Sequence, residues 1–195
     1  MSTFGEKIKG SFDLVFLYGR GIKPFEAEGT RQAALRSLWI PVLMYPFIPF
    51  VTWFYPPHGM HEGGYTYGQM VYTSTIVYLV GFALTTAFAW VFSYVLGRRD
   101  KFWLYFQASN WSSIAYGVVT LPVMALMVFD VMPREELHRI SVIATCYGFI
   151  VTGCIAYRAF RVPWELAGSL ACLTLALSHE AWKIVYHFQN IEAVW

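Results

Sequence analysis

The chain has 195 residues, of which 57% are apolar, 19% aromatic and only 13% charged, and its mean hydropathy is +0.46. That composition lies outside the range of water-soluble globular domains and reads as an integral membrane protein. The net charge of +2 is carried by Lys and Arg in short clusters, with no basic stripe or tail, which argues against a nucleic-acid partner.

The N-terminal stretch MSTFGEKIKGSFDLVFLYGRG places lysines before a short apolar run. Asp13 interrupts that run and no small-x-small cleavage site follows, so it does not read as a signal peptide. Phe4, Ile8, Phe12, Val15 and Phe16 share one helical face opposite Lys7 and Lys9, which predicts an amphipathic helix lying in a membrane interface. After Gly19, Gly21 and Pro24, a second short helix is predicted with Thr30 as its cap. Residues 1–36 are therefore read as a cytoplasmic amphipathic and approach segment, and residues 37–195 as a membrane domain of five helices.

The first span is expected over Leu38 to Tyr55, distorted by Pro41, Pro46 and Pro49, each of which removes a backbone donor. The turn-rich loop PPHGMHEGGYTYG follows, and the uncharged run from Gly63 to Gly97 is ample for the second span. A basic turn, GRRDK, leads to a third span over Phe102 to Phe129, whose first half carries Gln107, Ser109, Asn110, Ser112 and Ser113. A fourth span is placed at Ile140 to Tyr157, and Pro163 opens a fifth that runs to Gln189. Cys146, Cys154 and Cys172 lie within these apolar runs and read as small hydrophobes.

Three stripes of small residues at four-residue spacing predict close helix packing: Gly81, Thr85, Ala89 and Ser93; Ala144, Gly148, Thr152 and Ala156; and Gly168, Cys172, Ala176 and Glu180. The third stripe ends on a carboxylate, so Glu180 is expected to meet another helix rather than lipid. Of the 14 Lys and Arg residues, eleven fall on the side of the N-terminal segment, the GRRDK turn and the RAFR turn. Arg134 and Arg139 lie on the other side, and Lys183 lies within the fifth span. The asymmetry predicts a cytoplasmic N-terminus and a periplasmic C-terminus, and with the compact loops it suits a bacterial inner membrane.

With the stretch VLGRRDKFWLYFQASNWSSIAYGVVTLP in view, Val95 to Pro122, the chain resembles the Yip1 family of five-span membrane proteins and its small bacterial members. Tyr116, Gly117 and Pro122 stand at the family-like positions. The resemblance implies a five-helix bundle with no agreed enzymatic activity. It implies a part in membrane organisation, or in assembly with other membrane proteins or with further copies of itself. The family's eukaryotic members look like membrane-trafficking adaptors that act with small GTPases, and this sequence departs from their pattern in its short N-terminal segment.

Two clusters invite a chemical reading. Glu180 and Lys183, three apart on one helix, are a structural ion pair or, in a small transporter or channel-like protein, a proton or ion step. Gln107, Ser109, Asn110 and Ser113 either bond between helices or line a polar cavity. His58 and His61 in the first loop, and His179 and His187 on the last helix, fall on the predicted outer face, where imidazoles suit Zn²⁺ or copper. Outward loops poor in Lys and Arg also gather histidines as a by-product of topology. No catalytic triad or metalloprotease spacing is present.

Overall fold

The computed structural model describes residues 2–54, 64–129 and 134–189, and among them the regular structure is entirely helical. In chain order the helices are α1 (Phe4–Val15), α2 (Lys23–Glu26), α3 (Arg31–Arg36), α4 (Trp39–Met44), α5 (Phe47–Phe54), α6 (Tyr67–Val95), α7 (Phe102–Val128), α8 (Arg134–Phe160) and α9 (Trp164–Phe188). The four long helices form a ring in which α6 packs on α9, α9 on α8 and α8 on α7. Between α6 and α7 direct contact is thin, and α4 and α5 fill the gap.

Local chemistry sets the boundaries. Thr3 and Thr66 each build a capping box, with Glu6 and Gln69 returning the bond to the cap amide. Thr30 accepts from the Ala33 amide and starts α3. α6 stops at Gly97, whose φ of +64° lets the Arg98 N–H turn back onto the Ser93 carbonyl.

The expected first span, Leu38 to Tyr55, is not one bent helix but two short ones, α4 and α5, separated at Tyr45–Pro46. Three prolines within nine residues remove too many amide donors for one continuous ladder. Among the described residues two helices are long and apolar enough to cross a bilayer: α6, with mean hydropathy 1.9, and Val142–Phe160 of α8, with 1.4. Only 11% and 33% of their most apolar windows are buried, so most of that apolar surface is exposed. His179, Glu180, Lys183 and Glu165 keep α9 below the same measure.

The buried core lies at one end of the ring. Leu14, Val15, Phe25 and Ala34 of the N-terminal segment close over Leu104, Ala108 and Trp111 of α7 and Ile155, Ala159 and Phe160 of α8. α1 therefore does not lie free with its apolar face on the membrane. Gly10, Ser11, Leu14 and Val15 seat it on α7 and α8, and Lys7, expected on the opposite face, turns in above the Trp111 ring at 5.7 Å. Phe4 and Phe16 stay exposed at its two ends.

Candidate functional site

An open pocket of about 490 Å³ lies between α6, α7, α8 and α9, and Pro41 of α4 also lines it. The first half of α7 contributes Ser109, Asn110, Ser112 and Ser113, so three of the four residues read from the sequence as a polar group share one wall with Ser112. Gln107 is fully buried elsewhere, and neither its amide nitrogen nor its amide oxygen has a hydrogen-bond partner. α6 adds Thr85 and Thr86, α8 adds Thr145 and Thr152, and α9 adds Thr174 and Ser178. Aromatic rings, among them Tyr105, Phe106 and Phe149, add to the lining, and among the described residues none of the lining side chains is Asp, Glu, Lys or Arg.

Most of these hydroxyls are already committed as donors. Thr85 donates to the Gly81 carbonyl at 2.8 Å, Thr152 to Gly148 at 2.9 Å, Thr174 to Leu170 at 2.7 Å and Ser178 to Thr174 at 2.9 Å. Ser113 donates to the Asn110 carbonyl at 2.6 Å, and Tyr116 reaches across to the Ala144 carbonyl of α8 at 2.6 Å. Helical Ser and Thr bond back to the preceding turn in this way, which leaves their oxygen lone pairs for anything in the cavity. Ser112 is 3% exposed and its hydroxyl has no partner. The Ser109 hydroxyl has only the Tyr105 phenol beside it, short of a geometric hydrogen bond.

Sequence reasoning missed the α6, α8 and α9 walls. Their signal is present in two small stripes, where Thr85 and Thr152 sit among Gly and Ala and read as packing residues. Those stripes do turn inward: Ala89, Ser93 and Ala156 are buried, and Gly148 lies against the Tyr116 ring. The third does not. Cys172, Ala176 and Glu180 are exposed, and α9 instead packs through Ala167, Leu170, Ala171 and Ala181. Among the described residues Glu180 meets no second helix. Its carboxylate accepts from Lys183 Nζ at 2.7 Å, with the two side chains 52% and 44% exposed, on the outside of the ring and away from the cavity. A one-residue step along a helix is a rotation of roughly 100°, enough to move a stripe from interior to exterior.

His179 and His187 are exposed on α9. His58 and His61 lie outside the described residues. Among the described residues no three His, Cys, Asp or Glu side chains gather in a way that could hold a metal ion.

The capped end carries the ionic contacts. Lys7 Nζ donates to Glu28 at 2.5 Å, and this bond holds the Glu28 carboxyl below its ordinary range. Arg20 forms a two-point contact with Asp13 at 3.0 and 3.2 Å, which raises its own affinity for a proton. Glu6 is lowered by the Thr3 amide and hydroxyl. The guanidinium of Arg158 donates to the Tyr18 carbonyl at 2.7 Å and the Leu17 carbonyl at 2.6 Å, closing the C-terminal end of α1 onto α8. Arg161 pairs with Glu26 at 3.1 Å, and Arg31 lies over the Trp103 ring. The three basic clusters, far apart in sequence, thus meet at one end of the ring. No family model, curated protein or solved structure matches the chain.

Proposed function

We propose that this is a non-enzymatic, five-span protein of a bacterial inner membrane, akin to small Yip1-like proteins, that organises the membrane from its cytoplasmic face. The observation that supports this reading best is the capped end. Residues 2–38 are fastened to the feet of α7 and α8, and Lys9, Lys23, Arg98 and Arg99 remain exposed on and around that cap. The N-terminus is cytoplasmic in this reading, because basic groups are retained on that side. Lys and Arg at the foot of a membrane bundle attract anionic headgroups, each contributing about 1 kcal/mol near the surface. A rigid basic platform recognises lipid or a partner's acidic surface without any bond being made or broken.

The test is the lipid retained by the full-length protein purified from membranes containing phosphatidylglycerol. Anionic lipid should co-purify with the wild type and be reduced in Lys9→Gln/Lys23→Gln/Arg99→Gln. Equal retention by both proteins, or zwitterionic lipid held as firmly, would sink the proposal. A second reading, a small transporter or channel-like protein, is favoured by the hydroxyl-lined cavity. Its path would run through that cavity, with Glu180 and Lys183 outside it.

A further inference from the structure

The cavity is a candidate binding site in its own right, independent of what the basic cap does. Its volume of about 490 Å³ falls in the ~300–1,000 Å³ range of small-molecule sites. Three features of its wall restrict the ligand. Among the described residues no lining side chain is an acid or a strong base, so a charged guest would find no counter-charge there. The hydroxyls of Thr85, Ser113, Thr152, Thr174 and Ser178 have their protons committed to helix carbonyls. What they offer inward is lone pairs, and a guest must therefore bring hydrogen-bond donors.

The third feature is Ser112. Its side chain is buried at 3% exposure on the cavity wall, and its hydroxyl has neither donor nor acceptor. A buried hydroxyl left unmatched is costly, and such groups in folded proteins are ordinarily satisfied by something. The aromatic part of the lining, Phe82, Phe106 and Phe149 among it, suits the carbon skeleton of the same guest.

We infer that the cavity binds an uncharged molecule carrying free hydroxyl groups, of the kind found in the glycerol head of a neutral lipid or in a free polyol. Ser112 both donates to and accepts from the guest, and the carbonyl-committed hydroxyls of α6, α8 and α9 accept from it. The two sources share one chemistry and differ in whether acyl chains accompany it.

Native mass spectrometry of the full-length, detergent-solubilised protein, titrated with dioctanoylglycerol, with glycerol and with choline, separates the outcomes. One equivalent of dioctanoylglycerol would assign a lipid source, and one of glycerol without dioctanoylglycerol a free polyol. Choline, cationic and of similar size to glycerol, should not bind. Ser112→Ala removes one hydrogen-bonding group without adding bulk and should weaken binding about fivefold to tenfold. Ser112→Leu should abolish binding by filling the space, and Ser169→Ala, exposed on α9, should leave it unchanged. Should Ser112→Leu fail to fold, Ser178→Val tests the opposite wall with less added bulk. Binding of neither hydroxylated probe, choline binding as tightly as they do, or undiminished binding in both Ser112→Ala and the wall-filling variant would overturn the inference.

Discussion

Replacing Gly21 by alanine should loosen the cap that covers one end of the ring. Gly21 is buried where the 3-10 turn Gly19–Ile22 crosses α1. A methyl group there would lie 2.6 Å from the Leu14 amide nitrogen and 2.7 Å from the Gly10 carbonyl oxygen. Restoring an ordinary 3.4 Å contact from 2.6 Å requires a separation of roughly 0.8 Å. Both obstructing atoms are backbone, so no rotamer change relieves the clash; α1 or the turn must move. Leu14, Val15 and Phe25, each fully buried, would move with them. Overpacking costs about 1–3 kcal/mol, and a contact against backbone belongs at the upper end. For a chain of this size about 3 kcal/mol corresponds to a fall in Tm of roughly 6–12 °C. Thermal unfolding followed by tryptophan fluorescence is suitable, because Trp111 lies beneath α1 against Phe4 and Lys7. Limited proteolysis should show residues 2–36 cut sooner in the variant. Gly5→Ala, also on α1 but facing open space, is the control and should stabilise by about 0.5–1 kcal/mol. A Gly21→Ala protein that melts within about 2 °C of the wild type and resists protease equally would refute the reasoning.

Four further outcomes follow from particular contacts. The Lys7 bond lowers the Glu28 pKa, so the stability it contributes is fully present above the ordinary value of 4.5 and is lost as pH falls through the lower folded value. Melting of the wild type should then hold steady from neutral pH down to that region and decline below it, and Glu28→Gln should reduce the acid dependence, with Glu6→Gln removing a further part. Leu17→Gly should raise the Tm, since Leu17 holds a φ of +64° that costs a side-chain-bearing residue about 1 kcal/mol; an unchanged or lower Tm would show that its side-chain contacts outweigh the strain. Asn110→Ala removes the buried bond from Asn110 Nδ2 to Ser37 Oγ at 2.9 Å that ties α7 to the end of α3, and should cost about 1–2 kcal/mol by thermal or chemical unfolding. Glu180→Gln should leave the Tm unchanged, because the pair is exposed; a clear fall would place the pair against a helix of another subunit.

Much of the architecture was legible from one-dimensional pattern. Long apolar runs, the cap at Thr30, the GRRDK turn and prolines at 41, 46 and 49 mark which residues are helical and where helices end, because these are interactions among residues a few positions apart. The polar start of α7 and the single-sided distribution of basic clusters were equally visible.

Only the tertiary structure decided which face of each helix turns inward. The stripe ending at Glu180 has the same spacing as the two stripes that pack, yet it faces out, and the neighbouring face through Ala167, Ala171 and Ala181 took its place. Periodicity gives the direction of a face relative to its own helix, whereas burial depends on where three other helices stand. The cavity is of the same kind. Ser112, Thr85, Thr152 and Ser178 sit on four different helices, and each alone reads as a helix-compatible hydroxyl. Their convergence on one space is a property of the assembled helices, and so is the seat that draws Lys7 of an amphipathic helix inward over Trp111.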